Sequence, residues 1–221
     1  MGLPIADGGE GLVEVVLRHK RGTLRQIEAS DPLGRMILAG YAFLDNHEAV
    51  IEMAAAAGLP LLHKGELDPT KTSTFGVGEL MLAAISGGAD PIYVGLGGSA
   101  TVDGGVGAAC ALEIRFLDER GGVVYRGEDL QQITQVDLRG LHELDYSGKI
   151  IFLTDVNNPL CGPNGAAEVF GPQKGATPEQ VRHLDGGLDH LASVVAQESG
   201  LNLKDVPGMG AAGGFALPFV A

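Results

Sequence analysis

The stretch Gly95-Leu96-Gly97-Gly98-Ser99-Ala100-Thr101-Val102-Asp103-Gly104-Gly105 lies between two apolar segments, Ile92 to Val94 and Val106 to Leu112. Five glycines, two hydroxyls and a carboxylate stand where the neighbouring residues favour burial. Glycine loses the most backbone entropy on folding and adds almost no apolar surface. A chain that concentrates it between a strand and a helix needs backbone that bends tightly or approaches a ligand closely.

The surroundings make this loop part of a folded protein. Of 221 residues, 45% are hydrophobic and 19% charged, which excludes a disordered chain and allows a sizeable core. The 35 glycines fall in short clusters between apolar runs, not in a low-complexity linker. Formal net charge is −13, without a basic cluster, so nucleic acid is excluded as an expected partner. An anionic ligand would gain nothing from that global field and would need local donors: a lysine, backbone N–H groups or a metal ion. Cys110 and Cys161 show no metal-ligand spacing and read as free thiols of a reducing cytoplasm. No run approaches the length of a membrane span, and no signal-peptide pattern opens the chain, so the expected location is cytoplasmic, without membrane contact.

Strands and helices alternate, which predicts an α/β protein. Leu12 to Lys20 reads as helical; Ala49 to Met53, Pro91 to Gly95 and Lys149 to Leu153 read as strands. Thr72 to Thr74 offer N-caps to a helix ending at Gly87-Gly88, and a further helix is expected from about Gly105 to Leu112. The clearest helix follows Thr177-Pro178-Glu179-Gln180, with a capping hydroxyl, proline at the first helical position and glutamine three residues after the cap. Val181, Leu184, Leu188, Leu191 and Val195 then share one face, and Gly200 ends it.

Three glycine-rich loops carry carboxylates: residues 6–11 (ADGGEG), 95–105 and 154–165 (TDVNNPLCGPNG). Lys71 and Lys174 lie in two further loops. Consecutive glycine amides form anion-binding concavities, and a following helix adds its positive end. The central loop is neither a Walker A loop nor a dinucleotide fingerprint. Gly97, Gly98, Ser99 and Thr101 are the candidate phosphate contacts, with Lys174 as their charge partner and Lys71 as a further anion contact. Asp155 and Asp103 are the candidates for accepting a hydroxyl proton or holding Mg²⁺, and Asp7 joins them. Asp155 follows the apolar run 150–153, at the end of a strand where open α/β sheets bind ligands; the alternative is an Asx-turn. Asn157 and Asn158 either shape a turn or hold a hydroxyl of a sugar acid. His183 and His190 read as flanks of the last helix, and Glu10 and Glu79 as helix caps.

At these residues the chain resembles the type I glycerate kinases of bacteria. The matching stretches are PIADGGEG, DPLG, VIEMAAAAGL, TFGVGEL, GLGGSATVDGG, DVNNPLCGPNGAAEVFGPQKGAT and PGMGAAGG, in the family's order and across nearly the whole chain. The resemblance implies ATP-dependent phosphorylation of a D-glycerate hydroxyl assisted by Mg²⁺. It also implies a two-lobed α/β fold: a flavodoxin-like lobe with a second α/β lobe inserted in it, and the active site between them. Val102 and Val77 stand where the family usually carries asparagine and threonine. The family's first strand–loop and its C-terminal portion are not matched. Residues 1–40 are therefore expected to be a remnant of the flavodoxin-like lobe, 41–205 the inserted lobe, and 206–221 the start of the return. On this reading kinase activity is impaired, open sheet edges favour self-association or a complementary chain, and the alternative is a non-catalytic binding fragment or half of a split enzyme.

Overall fold

In the computed structural model, residues 9–139 and 148–220 are described. Helix α1 (Leu12–His19) leads into a long hairpin, β1 (Gly22–Ser30) and β2 (Met36–Leu44), paired antiparallel along its whole length. The turn is set by Asp31, whose carboxylate accepts the N–H groups of Leu33 and Arg35 at 2.8 and 2.9 Å. Strands β3 (Ala49–Glu52), β4 (Ile92–Gly95) and β8 (Ile150–Leu153) extend the sheet in the order β1-β2-β3-β4-β8. β2 and β3 are antiparallel, whereas β3, β4 and β8 run parallel. The position-40 boundary falls inside β2, so the sheet is continuous across it.

Two features lie outside the expectation from sequence. One is the β1–β2 hairpin. The other is a small sheet, β6-β5-β7, built from β5 (Arg115–Asp118), β6 (Val123–Val124) and β7 (Ile133–Asp137). This second sheet packs under the last helix, α6 (Pro178–Ser199). That helix has the expected capping box, and the predicted face, Val181, Leu184, Leu188, Leu191 and Val195, is buried. His183 and His190 each place Nε2 2.7 Å from a carbonyl, of Glu128 and Ile133, and so tether α6 to the segment beneath it.

Helix α3 (Phe75–Ser86) is the hinge of the packing. It lies over the large sheet, with Val77, Leu80, Met81 and Ala84 fully buried, and against α4 (Val106–Ala111). Its first turn carries glycines because of how close its neighbours come. A Cβ on Gly78 would stand 2.3 Å from the Ala108 carbonyl oxygen, and one on Gly76 would stand 1.8 Å from that of Ser30. Residues 209–217 close both cores: Ala211, Ala212 and Phe215 join the sheet side, and Met209, Ala216 and Leu217 join the α6 side.

The parallel strands place the functional loops. Gly95 pairs with both Glu52 and Leu153, so the loops leaving β3, β4 and β8 emerge at one edge. Substituting Gly78 by Val must drive α3 off α4 and is expected to destabilise the fold by about 3 kcal/mol. Urea unfolding followed by circular dichroism measures this; an unchanged midpoint would show that the two helices do not pack as described.

Candidate active site

The loop after β4 is tied at its tip to the segment that follows α2. Leu59 N–H donates to the Gly98 carbonyl at 2.9 Å, and Ala100 N–H donates to that of Ala57 at 2.8 Å. These bonds make an isolated antiparallel bridge between Ser99 and Gly58, just after α2 (Ala54–Ala57). Gly98 takes a left-handed φ of 73°, which turns the chain at its exposed tip. The amides of Gly97, Gly98 and Ser99 donate to no acceptor among the described residues. Three successive amides left free among the described residues, at the carboxyl end of a parallel strand, are an arrangement that can cradle an anion.

They line a hollow of about 180 Å³ together with Thr154 and Asp155 from the loop after β8, and Gln173 and Lys174. Ala211 and Ala212 close its wall. The structure thus brings together five residues singled out from sequence: Gly97, Gly98, Ser99, Asp155 and Lys174. Asp155 is exposed, and no N–H or cation engages its carboxylate among the described residues, so the Asx-turn alternative does not hold. Lys174 is 2% exposed. Its Nζ donates to Ser99 Oγ at 2.8 Å and to the Thr101 carbonyl at 2.7 Å. Burial pushes the ammonium down to about 7, against the opposing pull of Asp103.

Other candidates lie elsewhere. Asp103 is fully buried beneath the loop. It accepts Thr74 N–H at 2.7 Å, Thr74 Oγ1–H at 2.8 Å and Gly105 N–H at 3.2 Å. Burial raises its carboxyl above the usual range, and these bonds pull it back. With its oxygens spent on α3 and α4, Asp103 braces the loop and does not face the hollow. Thr74 correspondingly does not cap α3; its hydroxyl also accepts Ala108 N–H at 3.0 Å. Thr101 Oγ1 is buried without a partner among the described residues. Lys71 is exposed and pairs with Asp68 at 3.6 Å. Asn158 donates to the Asn164 carbonyl at 2.8 Å, shaping its own turn, and Asn157 is exposed outside the hollow. Glu79 holds the end of β1 by accepting Ser30 N–H at 2.7 Å. Asp7 lies outside the described residues.

Sequence reasoning missed the wall at Ala211-Ala212. Ala212 holds φ 50° and ψ 35°, left-handed without being glycine. The signal was the Gly-Ala-Ala-Gly-Gly run that follows Met209. Gly104 N–H donates to the Gly213 carbonyl at 3.0 Å, so this run clasps the far end of the glycine loop.

No group of three or more His, Cys, Asp or Glu among the described residues is arranged to hold a metal ion. A magnesium ion commonly needs only one or two protein carboxylates when phosphate oxygens complete its shell. Asp155, unengaged beside the free amides, fits that requirement; Asp103 does not.

Asp103→Ala leaves buried donors unmatched and is expected to cost about 3 kcal/mol of stability. Thr101→Val removes an unmatched hydroxyl and is expected to be neutral or stabilising by up to about 1 kcal/mol. Urea titration distinguishes the two roles. Lys174 generates a pH signature as well. Its folded value, about 7, lies below the ordinary 10.5, so the unfolded chain binds more protons between them. Its contribution to stability therefore increases as pH rises through that window. Unfolding free energy in the wild type relative to Lys174→Met is expected to climb from pH 7 upward; a flat difference would mean that the amine is not desolvated.

The family model described as the glycerate kinase family matches residues 1–221. A glycerate kinase of Haemophilus influenzae is 42% identical over 214 residues, covering 96% of this chain and 57% of that protein. A glycerate 2-kinase of Escherichia coli K12 is 41% identical over 221 residues, covering 99% and 58% respectively. The crystal structure of a Salmonella typhimurium LT2 protein, described as a candidate glycerate kinase 2, superposes with a TM-score of 0.94 at 41% identity, over 99% of this chain and 59% of that one. The chain thus spans less than two thirds of the length of these relatives. With the family model matched from end to end, the chain belongs to the glycerate kinase family.

Proposed function

We propose that this chain carries the phosphate- and metal-holding side of an ATP-dependent glycerate kinase. The observation that carries the reading is the convergence, in one hollow, of three amides and a carboxylate that are unengaged among the described residues. Phosphoryl transfer asks a protein mainly for positioning and charge neutralisation. The Gly97, Gly98 and Ser99 amides hold equatorial phosphate oxygens, which carry the developing charge. A D-glycerate hydroxyl attacks the γ-phosphorus, the bond to the bridging oxygen breaks and ADP leaves, while Asp155 orients that hydroxyl and takes its proton or holds the metal. Where Asp155 serves the metal instead, it would hold Mg²⁺ together with phosphate oxygens, and the ion would supply charge neutralisation. We read the described α/β framework as mainly the inserted lobe of the two-lobed fold, its strand ends facing the cleft.

A second reading is favoured by coverage: the chain spans 57–59% of the relatives it matches. The chain then binds one ligand and turns over only when the remaining wall is supplied by another polypeptide segment.

Titration calorimetry with ATP in the presence of Mg²⁺, and separately with D-glycerate, tests the proposal. Binding of at least one is expected, and Asp155→Asn should weaken the metal-dependent component about tenfold or more. Binding of neither ligand would overturn both readings. A coupled ADP-release assay with ATP, Mg²⁺ and D-glycerate then separates them, since binding without turnover belongs to the second.

A further inference from the structure

Lys174 was expected to meet phosphate directly, yet its side chain is almost wholly enclosed and two of its donors are spent inside the protein. It ends the short 3₁₀ turn Pro172–Lys174, which follows α5 (Ala166–Phe170). Gly175 anchors that turn: it takes φ 98°, and a Cβ there would stand 2.2 Å from the Leu67 carbonyl oxygen. The lysine is therefore delivered to a fixed place.

What it grips is informative. Its partners, Ser99 Oγ and the Thr101 carbonyl, flank Ala100, whose own N–H is held by Ala57. Gly98 is held through its carbonyl by Leu59 N–H. The ties on residues 98 to 101 engage three carbonyls, of Gly98, Ala100 and Thr101, together with the Ser99 hydroxyl and the Ala100 N–H, and the amides of residues 97 to 99 are left unengaged among the described residues. From this geometry we infer that Lys174 is a positioning residue, which acts on an anion through the Ser99 hydroxyl and the Thr101 carbonyl by holding the 97–99 amides open to the hollow.

The inference rests on the reading that those amides receive an anionic group, and it adds a property that the reading lacks. An ammonium has three donors, and two acceptors are present among the described residues. A neutral amine, with two donors and a lone pair, matches those two acceptors, in keeping with an ionisation that burial pushes down to about 7. An anion seated on the amides favours the charged form. Binding near neutral pH should therefore draw a proton onto Lys174, and affinity should fall as pH rises. The acidic group that acts on the lysine is Asp103 from beneath the loop, and Asp155 lines the same hollow; Leu59, Leu96, Phe170, Gln173, Ala211 and Ala212, which also line it, do not titrate.

Inorganic sulfate is the probe, because it does not titrate in this range. The amide shifts of Gly97, Gly98 and Ser99 report its seat, and calorimetry in buffers of different ionisation enthalpy reports proton uptake. The wild type should bind sulfate with proton uptake and more weakly as pH rises through 7. Lys174→Met should lose about tenfold or more in affinity, the scale of a lost charge-assisted bond. Lys174→Arg should keep binding while the pH dependence and proton uptake vanish, because guanidinium stays charged. Ser99→Ala, which cuts one tie and leaves the lysine in place, should weaken binding but keep the proton uptake; it also serves if Lys174→Met does not fold. Wild-type binding without proton uptake, or unchanged binding in Lys174→Met, would overturn the inference. Sulfate that shifts none of the three amides would instead overturn the reading that they receive anions.

Discussion

A single buried carboxylate holds the functional region together. Asp103 accepts hydrogen bonds from the first turn of α3, through Thr74, and from the start of α4, through Gly105. A desolvated charge is costly unless it is met by donors, and a carboxylate met by several is hard to replace. The two helices, the glycine loop between β4 and α4 and the hydroxyl-rich loop before α3 thereby become one unit. Thr72 and Ser73 reinforce it, donating to the carbonyls of Ala100 and Tyr125 at 2.9 and 2.8 Å. The polar residues beneath the hollow thus serve rigidity, and those at its surface remain for ligands.

That division bears on the proposed anion site, which an acidic protein must build locally. The global field, at −13, repels anions. Short-range donors must outweigh it, and main-chain amides do so without adding a mobile side chain. The buried lysine is shut off from solvent, so any charge it gains acts locally and strongly. Asp155, on the opposite wall, offers the hard oxygen that a small divalent ion prefers. On the proposed reading, anion attraction and metal capture fall to the loops of separate strands.

Much of this was legible in the sequence, but unevenly. β4, β8 and α6 declare themselves because each is a bounded apolar pattern: Ile92 to Gly95, Ile150 to Leu153, and a single stripe from Val181 to Val195 behind a complete capping box. The β1–β2 hairpin hides because Leu24, Met36 and Leu38 are exposed, which blurs the alternation that would mark a half-buried strand. The small second sheet hides because β6 has only two residues. Within the glycine loop, Ser99 and Asp103 looked equivalent as polar residues among glycines. Which of them faces a ligand is decided by side-chain direction, and that depends on Thr74 and Lys174, far away in sequence. The wall formed by Ala212 was missed since nothing in an alanine's identity announces a left-handed backbone.

The parallel pairing of β3, β4 and β8 has a kinetic corollary. Ala49, Ile92 and Ile150 meet in adjacent registers although long stretches of chain separate them. Contacts so distant along the polypeptide carry a large loop-closure cost and tend to form late. The hollow exists only once those ends are side by side, so collapsed intermediates lack it. A ligand that recognises it therefore rewards only the finished topology, and its effect should appear in the rate of unfolding, leaving the early stages of collapse untouched.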